Sequence, residues 1–205
     1  MKPAAMKLAV LGAGAWGTAL AVSWAPHHAV TLWGRNAAEL DAMRAQRVNA
    51  RYLPGCTLPD ALQLTPDFNR VVDDADLIVV AVPSGALRPT LATLATRPTL
   101  PPLLWVCKGF EPGSRKLPHQ LVADLLPAHR QTGVLSGPSF AQEVAHGYPT
   151  ALTLASHDSV LAQQLAETLS NPRLRIYAHD DVVGVELGGA LKNVMAIAAG
   201  ICDGL

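Results

Sequence analysis

Short apolar runs alternate along this chain with longer Ala-rich or amphipathic stretches. Residues 8–11, 29–33, 77–82, 103–107, 133–136, 151–155 and 174–177 carry the β-branched, aromatic or unbroken apolar character of strands. The run Leu77-Ile78-Val79-Val80-Ala81-Val82 is apolar at every position, as expected of a strand covered on both faces of a parallel sheet. Between the runs, the stretch opening at Ala15 and residues 37–46, 140–146 and 160–169 have helical composition. In the last of these Val160, Leu161, Leu165 and Leu169 are expected on one face. Residues 49–59, broken by Pro54, Gly55 and Pro59, read as a loop. Asp73, Asp74 and Asp76 read as a solvated turn, since they lack the glycine and terminal glutamate of a calcium loop. Strands alternating with helices predict an α/β fold with a doubly wound, mostly parallel sheet, mixed strands being allowed at its end.

The first strand runs directly into Gly12-Ala13-Gly14-Ala15-Trp16-Gly17 and then into a helical pattern. Glycines at this spacing between a strand and a helix have a physical use. Gly12 permits the tight turn, Gly14 lets backbone approach a diphosphate, and Gly17 lets the helix pack close on the strand. The diphosphate then lies on free N–H groups at the positive end of the helix dipole. The second strand ends in Trp33-Gly34-Arg35-Asn36, with no carboxylate to accept from a ribose 2′-hydroxyl. Arg35 there suits a 2′-phosphate, so NADP is favoured over NAD, the plainer alternative being a solvated surface arginine.

Composition narrows the class. The 205 residues are 50% hydrophobic and 16% charged, with 16 basic and 16 acidic side chains. That is globular, with no basic excess for a nucleic-acid partner. No apolar run approaches the roughly 20 residues of a membrane span. Cys56, Cys107 and Cys202 form neither a disulfide framework nor a metal pattern, which fits a reducing, cytoplasmic setting and no metal site. A secretory signal peptide built on Lys2, Lys7 and the apolar run is the rival reading of the N-terminus, but three glycines at motif spacing make a poor signal core.

Chemistry concentrates at strand ends. Lys108 follows the run 103–107, where ligands of open α/β sheets bind, and Cys107 beside it reads as a packed residue rather than a nucleophile. Ser139 follows Gly137-Pro138 near a helix start, either as a cap or as part of an anion site. Residues 182–201, preceded by Asp180 and Asp181 as candidate caps, are so apolar that the helix is expected to be buried nearly all round. Lys192 within it is costly unless paired or used, and burial moves a lysine toward general-base duty. Glu186 lies six positions away and does not share its helix face.

Taken in order, these segments resemble the bacterial-type NAD(P)-dependent glycerol-3-phosphate dehydrogenases. The likeness is carried by residues 12–19, 32–35, 49–55, 82–84, 107–109, 135–141 and 186–193. It implies a Rossmann-type domain over residues 1–180. Residues 181–205 would begin a helical substrate domain, whose remainder this chain lacks. It implies that Ala15, Trp16, Arg35 and Ala141 contact the dinucleotide and that Lys108 touches cofactor and substrate. Gly137 and Ser139 would lie against the glycerol phosphate, and Lys192 would accept the proton. The implied reaction interconverts sn-glycerol 3-phosphate and dihydroxyacetone phosphate, for glycerophospholipid synthesis. The complete enzyme would be a cytoplasmic homodimer, and this chain alone inactive, its last helix exposing an apolar face. Two alternatives stay open at this stage. One is a 3-hydroxyacid dehydrogenase of the same architecture, which would need a carboxylate site. The other is a non-catalytic NADP-sensing module, against which Lys192 stands.

Overall fold

The computed structural model describes residues 4–204; Lys2 of the signal-peptide reading lies outside them. The chain runs β1 (Lys7–Leu11), α1 (Ala15–Trp24), β2 (Ala29–Trp33), α2 (Ala37–Gln46), β3 (Val48–Asn49), β4 (Leu53–Thr57), β5 (Gln63–Thr65), α3 (Phe68–Asp73), β6 (Leu77–Val80) and α4 (Ser84–Leu94). It continues with β7 (Leu103–Trp105), α5 (Pro118–Leu125), β8 (Thr132–Ser136), α6 (Ala141–Ala145), β9 (Thr150–Ala155), α7 (Ser159–Leu169), β10 (Leu174–His179) and α8 (Val182–Asp203).

Eight strands form one sheet in the order β10-β9-β8-β7-β6-β1-β2-β5. Every pairing is parallel except β8 with β9, so the mixed strands fall toward one end of the sheet, as expected. Side chains alternate between two apolar layers. Leu8 and Val10 of β1 pack with α1 and α7, while Ala9 and Leu11 pack with α4 and α5. From β1 the chain winds outward to β2 on one side and, after crossing back, to β6 on the other. The crevice at the carboxyl ends of β1 and β6 is therefore the topological switch point, where open α/β sheets bind ligands.

The structure corrects several readings. Residues 49–59 are not a plain loop: β3 and β4 pair antiparallel, with a register shift, despite Pro54 and Gly55. Val160 points outward, and α7 instead buries Leu161, Ala162, Leu165, Ala166 and Leu169. The expectation that α8 is buried nearly all round does not hold. Val194, Met195, Ile197 and Ile201 are 58–66% exposed, because no described element packs over that half of the helix. Among the described residues no single helix is long and apolar enough to cross a membrane; the two parts of α8 reach that length and composition only together, across a 51° bend.

Asp181 caps α8 by accepting from Gly184 N, one of the two caps proposed for it. The three aspartates lie at a solvated turn. Asp74 pairs with Lys7 at 2.7 Å, Asp76 accepts from the Lys7 backbone, and Asp73 pairs with Arg97.

Candidate functional site

The glycine turn is a cradle shaped by close approach. Gly12 has φ +128°, and a Cβ there would meet the Ala81 carbonyl oxygen at 2.6 Å. A Cβ on Gly17 would lie 2.1 Å from Gly12 O, so α1 sits against the turn with no room to spare. Above Gly14, by contrast, nothing lies within 4 Å of a Cβ. The turn is braced from below by buried Asn49. Its amide donates to Ala13 O at 3.0 Å and to Thr18 Oγ1 at 2.8 Å, tying the β3–β4 hairpin to the start of α1. The first N–H groups of α1 have no intrahelical acceptors and face this opening.

A cavity of about 1100 Å³ opens here, lined by Gly12, Gly14, Ala15, Trp16, Arg35, Lys108, Ser139 and Ala141 among others. Its size suits a dinucleotide rather than a smaller metabolite. Trp16 Nε1 is buried with no partner among the described residues. Gly17 lies beneath the lining. Gly137 and Lys192 also lie outside it, but they bond to residues that belong to it.

The chemistry gathers on one turn. Lys108 Nζ donates to Gly137 O at 3.1 Å, and Lys192 Nζ donates to Ser139 O at 3.0 Å. Two ammonium groups from distant parts of the sequence thus grip neighbouring carbonyls of Gly137-Pro138-Ser139. Lys108 lies 5.6 Å from the centre of the Trp16 ring, and Lys192 lies 4.0 Å from that of Phe140. Burial, then the like charge of Lys192, lowers the Lys108 pKa below the ordinary lysine value. Lys192 is only half-buried.

Ser139 is buried but is not a cap. Phe140 is the N-cap of α6, which has five residues, and the Ser139 hydroxyl reaches only Gly137 O, at 3.5 Å. Gly137 also has a packing reason: a Cβ there would meet Leu152 at 2.9 Å. Cys107 is packed as expected, and burial pushes its thiol up to about 12, out of reach as a nucleophile. Among the described residues no group of three or more His, Cys, Asp or Glu gathers as a metal site.

Sequence reading missed two features. Glu39 of α2 lines the cavity and is paired with Arg51 of the β3–β4 turn, which lies 5.0 Å from the Tyr52 ring. Only the fold brings a carboxylate to the Arg35 end, from outside the strand terminus where one is usual. The second is a strap on the loop after Lys108. Arg88 of α4 grips Glu111 through two bonds of 2.7 and 2.8 Å, with Ser114 as a further donor.

The Arg88 guanidinium, then the Ser114 hydroxyl, holds the Glu111 carboxyl at about 2, against an ordinary 4.5. A depressed carboxylate contributes stability above its unfolded value and loses it as pH falls through the folded one. The strap should therefore add constant stability at neutral pH and fade between about pH 4.5 and 2. Thermal melts of wild type and Glu111→Gln should differ near neutrality and converge in acid. A gap that persists unchanged to the acid limit contradicts this.

The fold and cavity together define a doubly wound α/β domain of the Rossmann type. The family model for the N-terminus of NAD-dependent glycerol-3-phosphate dehydrogenase matches residues 7–162, and the C-terminal model matches residues 181–205. The chain belongs to the NAD-dependent glycerol-3-phosphate dehydrogenase family. It is 77% identical to the glycerol-3-phosphate dehydrogenase [NAD(P)+] of Thiobacillus denitrificans and 53% identical to that of Dechloromonas aromatica. Each match spans 200 residues, 98% of this chain but 61% of the relative's length. Among solved structures, the glycerol-3-phosphate dehydrogenase of Coxiella burnetii matches with a TM-score of 0.87 at 40% identity, over 98% of this chain and 62% of that one.

Proposed function

We propose that this chain is the cofactor-binding part of an oxidoreductase. The enzyme interconverts sn-glycerol 3-phosphate and dihydroxyacetone phosphate with NADP or NAD, NADP being favoured, and supplies glycerophospholipid synthesis. The observation that carries this reading is the pair of lysines, Lys108 and Lys192, on one turn beside a dinucleotide-sized cavity. The diphosphate lies over Gly14 and the first N–H groups of α1, with Ala15, Trp16 and Ala141 along the cofactor. Arg35 takes the 2′-phosphate. Lys108, with Gly137 and Ser139, holds the substrate, its charge meeting the phosphate ester. Lys192 takes the hydroxyl proton during oxidation and returns it to the carbonyl oxygen during reduction. The nicotinamide, when bound, supplies or receives the hydride.

The division between cofactor domain and substrate domain falls after residue 180, where β10 has ended and α8 begins. The complete enzyme works as a homodimer in the cytoplasm, a setting consistent with three unpaired cysteines, two of them buried.

The experiment is an NADPH-oxidation assay of the full-length protein with dihydroxyacetone phosphate, beside glycerol 3-phosphate and 3-hydroxyisobutyrate in the oxidative direction. Activity on the glycerol pair alone is expected; activity on the hydroxyacid overturns the substrate, and cofactor binding without activity overturns the enzyme. In the same protein Arg35→Ala should weaken NADPH about 10- to 100-fold, the worth of a charge-assisted bond, and leave NADH nearly unchanged. Equal weakening of both by calorimetry would remove Arg35 from the 2′-phosphate.

A further inference from the structure

The helix that carries Lys192 packs Val182 and Val185 against the core and is also bonded to the sheet through a buried carboxylate. Glu186 is 5% exposed. Its Oε1 accepts from Trp105 Nε1 at 2.7 Å and from His119 N at 2.9 Å, and its Oε2 lies 2.5 Å from His119 Nδ1. Trp105 ends β7, three residues before Lys108. His119 is the second residue of α5, where the backbone N–H has no intrahelical acceptor. The carboxylate of α8 therefore closes the end of α5 from outside and hangs from β7 at the same time. Three residues further on, a Cβ at Gly189 would lie 2.5 Å from Ser136 Oγ, so α8 runs directly over the end of β8. Lys192 follows three residues after that.

We infer that Glu186 is a positioning residue for Lys192: it fixes α8 over β7 and β8 so that Lys192 and Lys108 reach the same Gly137–Ser139 turn. This rests on the reading of Lys192 as the proton acceptor. A carboxylate is a costly way to hold a helix, because burying it is favourable only when its oxygens are well bonded. Apolar packing would anchor α8 as firmly, but it specifies direction poorly. Three donors from two elements fix both the height and the rotation of the helix, and rotation decides where the amine at position 192 points. One of those elements, β7, leads into Lys108 three residues on, so the anchor of α8 and the approach of Lys108 share a strand. Glu186 is not an ion-pair partner for Lys192, whose amine is engaged by Ser139 O and Phe140 instead.

The test uses the full-length enzyme, with kcat, KM, NADPH affinity and melting temperature measured for each variant. Glu186→Ala should lower kcat about 100-fold, the scale of a small misplacement of a reacting group, with NADPH affinity changed less than about threefold. Glu186→Gln keeps an oxygen for Trp105 Nε1 and His119 N and should restore most of kcat. Leu165→Ala, a core truncation in α7 far from the site, serves as the stability control and should lower the melting temperature without lowering kcat. Wild-type kcat in folded Glu186→Ala, or a matching kcat loss in Leu165→Ala, overturns the inference. If Glu186→Ala does not fold, Trp105→Phe and His119→Ala each remove one donor and should lower kcat about tenfold at unchanged NADPH affinity. Wild-type kcat in both overturns it equally. Lys192→Ala is the reference: a wild-type rate there overturns the proton-acceptor reading and this inference with it. A lost rate there beside a normal rate in Glu186→Ala overturns this inference alone.

Discussion

Replacing Lys192 with alanine should lower turnover of the full-length enzyme about 10³-fold, within the range that a positioned general acid–base contributes. NADPH affinity should change by less than about threefold, since the amine lies beyond the cavity lining and bonds to Ser139 O instead. Two separate effects combine in that loss. The hydroxyl proton loses its acceptor, and one of the two cations beside the turn disappears. Lys108 cannot substitute, because it is held on Gly137 O and, in the function proposed above, its charge meets the substrate's phosphate. Stopped-flow turnover with parallel calorimetry separates the outcomes. A fall in cofactor affinity as large as the fall in turnover would make Lys192 structural.

The second large effect concerns Gly17. Gly17→Ala should weaken NADPH binding more than about 100-fold and cost about 1–3 kcal/mol of stability, the usual range for overpacking. The added Cβ would lie 2.1 Å from Gly12 O and 3.0 Å from the Ala81 Cβ. Gly12 cannot yield, because it occupies φ +128° and is itself packed against Ala81 O. The helix must therefore lift off the turn, carrying away the N–H groups proposed to receive the diphosphate. Gly14→Ala is the contrast. Nothing lies within 4 Å of its Cβ and its φ is −76°, so the fold should be intact while the added methyl intrudes on the ligand. Melting curves and calorimetry on both variants distinguish loss of the cradle from loss of its space. Unaltered NADPH binding in Gly14→Ala would remove the diphosphate from this turn.

Local pattern carried the parts of the fold that local physics determines. The glycine turn, the unbroken apolar run of β6 and the lysine on an apolar helix were legible because each is a deviation visible within a few residues. The hairpin β3–β4 was not, since Pro54 and Gly55 read as breakers; in the structure Gly55 takes φ +78° and the strand continues through it. Helix α4 was hidden by Gly85 and by Pro89, which sits inside it. Helix α5 follows a loop whose turns depend on Gly109 and Gly113, at φ +93° and +89°, and on contacts made far away in sequence.

The site divides in the same way. Residues on the glycine turn and at strand ends could be placed from spacing alone. The partners that fix them could not. Asn49 reaches back 36 positions to Ala13, and Glu186 reaches 81 to Trp105. Glu39 and Arg51 meet only because the hairpin folds over α2. For α8 composition alone misled, because it reports what a helix would bury and not whether a neighbour is there to bury it; the exposed apolar face that the family resemblance implied is what the structure has.

A crystal structure of the full-length enzyme with NADPH and a non-reactive glycerol phosphate analogue tests the central claim most directly. The diphosphate should lie on the N–H groups that follow Gly14, and Lys192 Nζ should lie within hydrogen-bonding distance of the analogue's central oxygen, beside the nicotinamide. A cofactor bound elsewhere, or that amine turned away to solvent, would contradict the account.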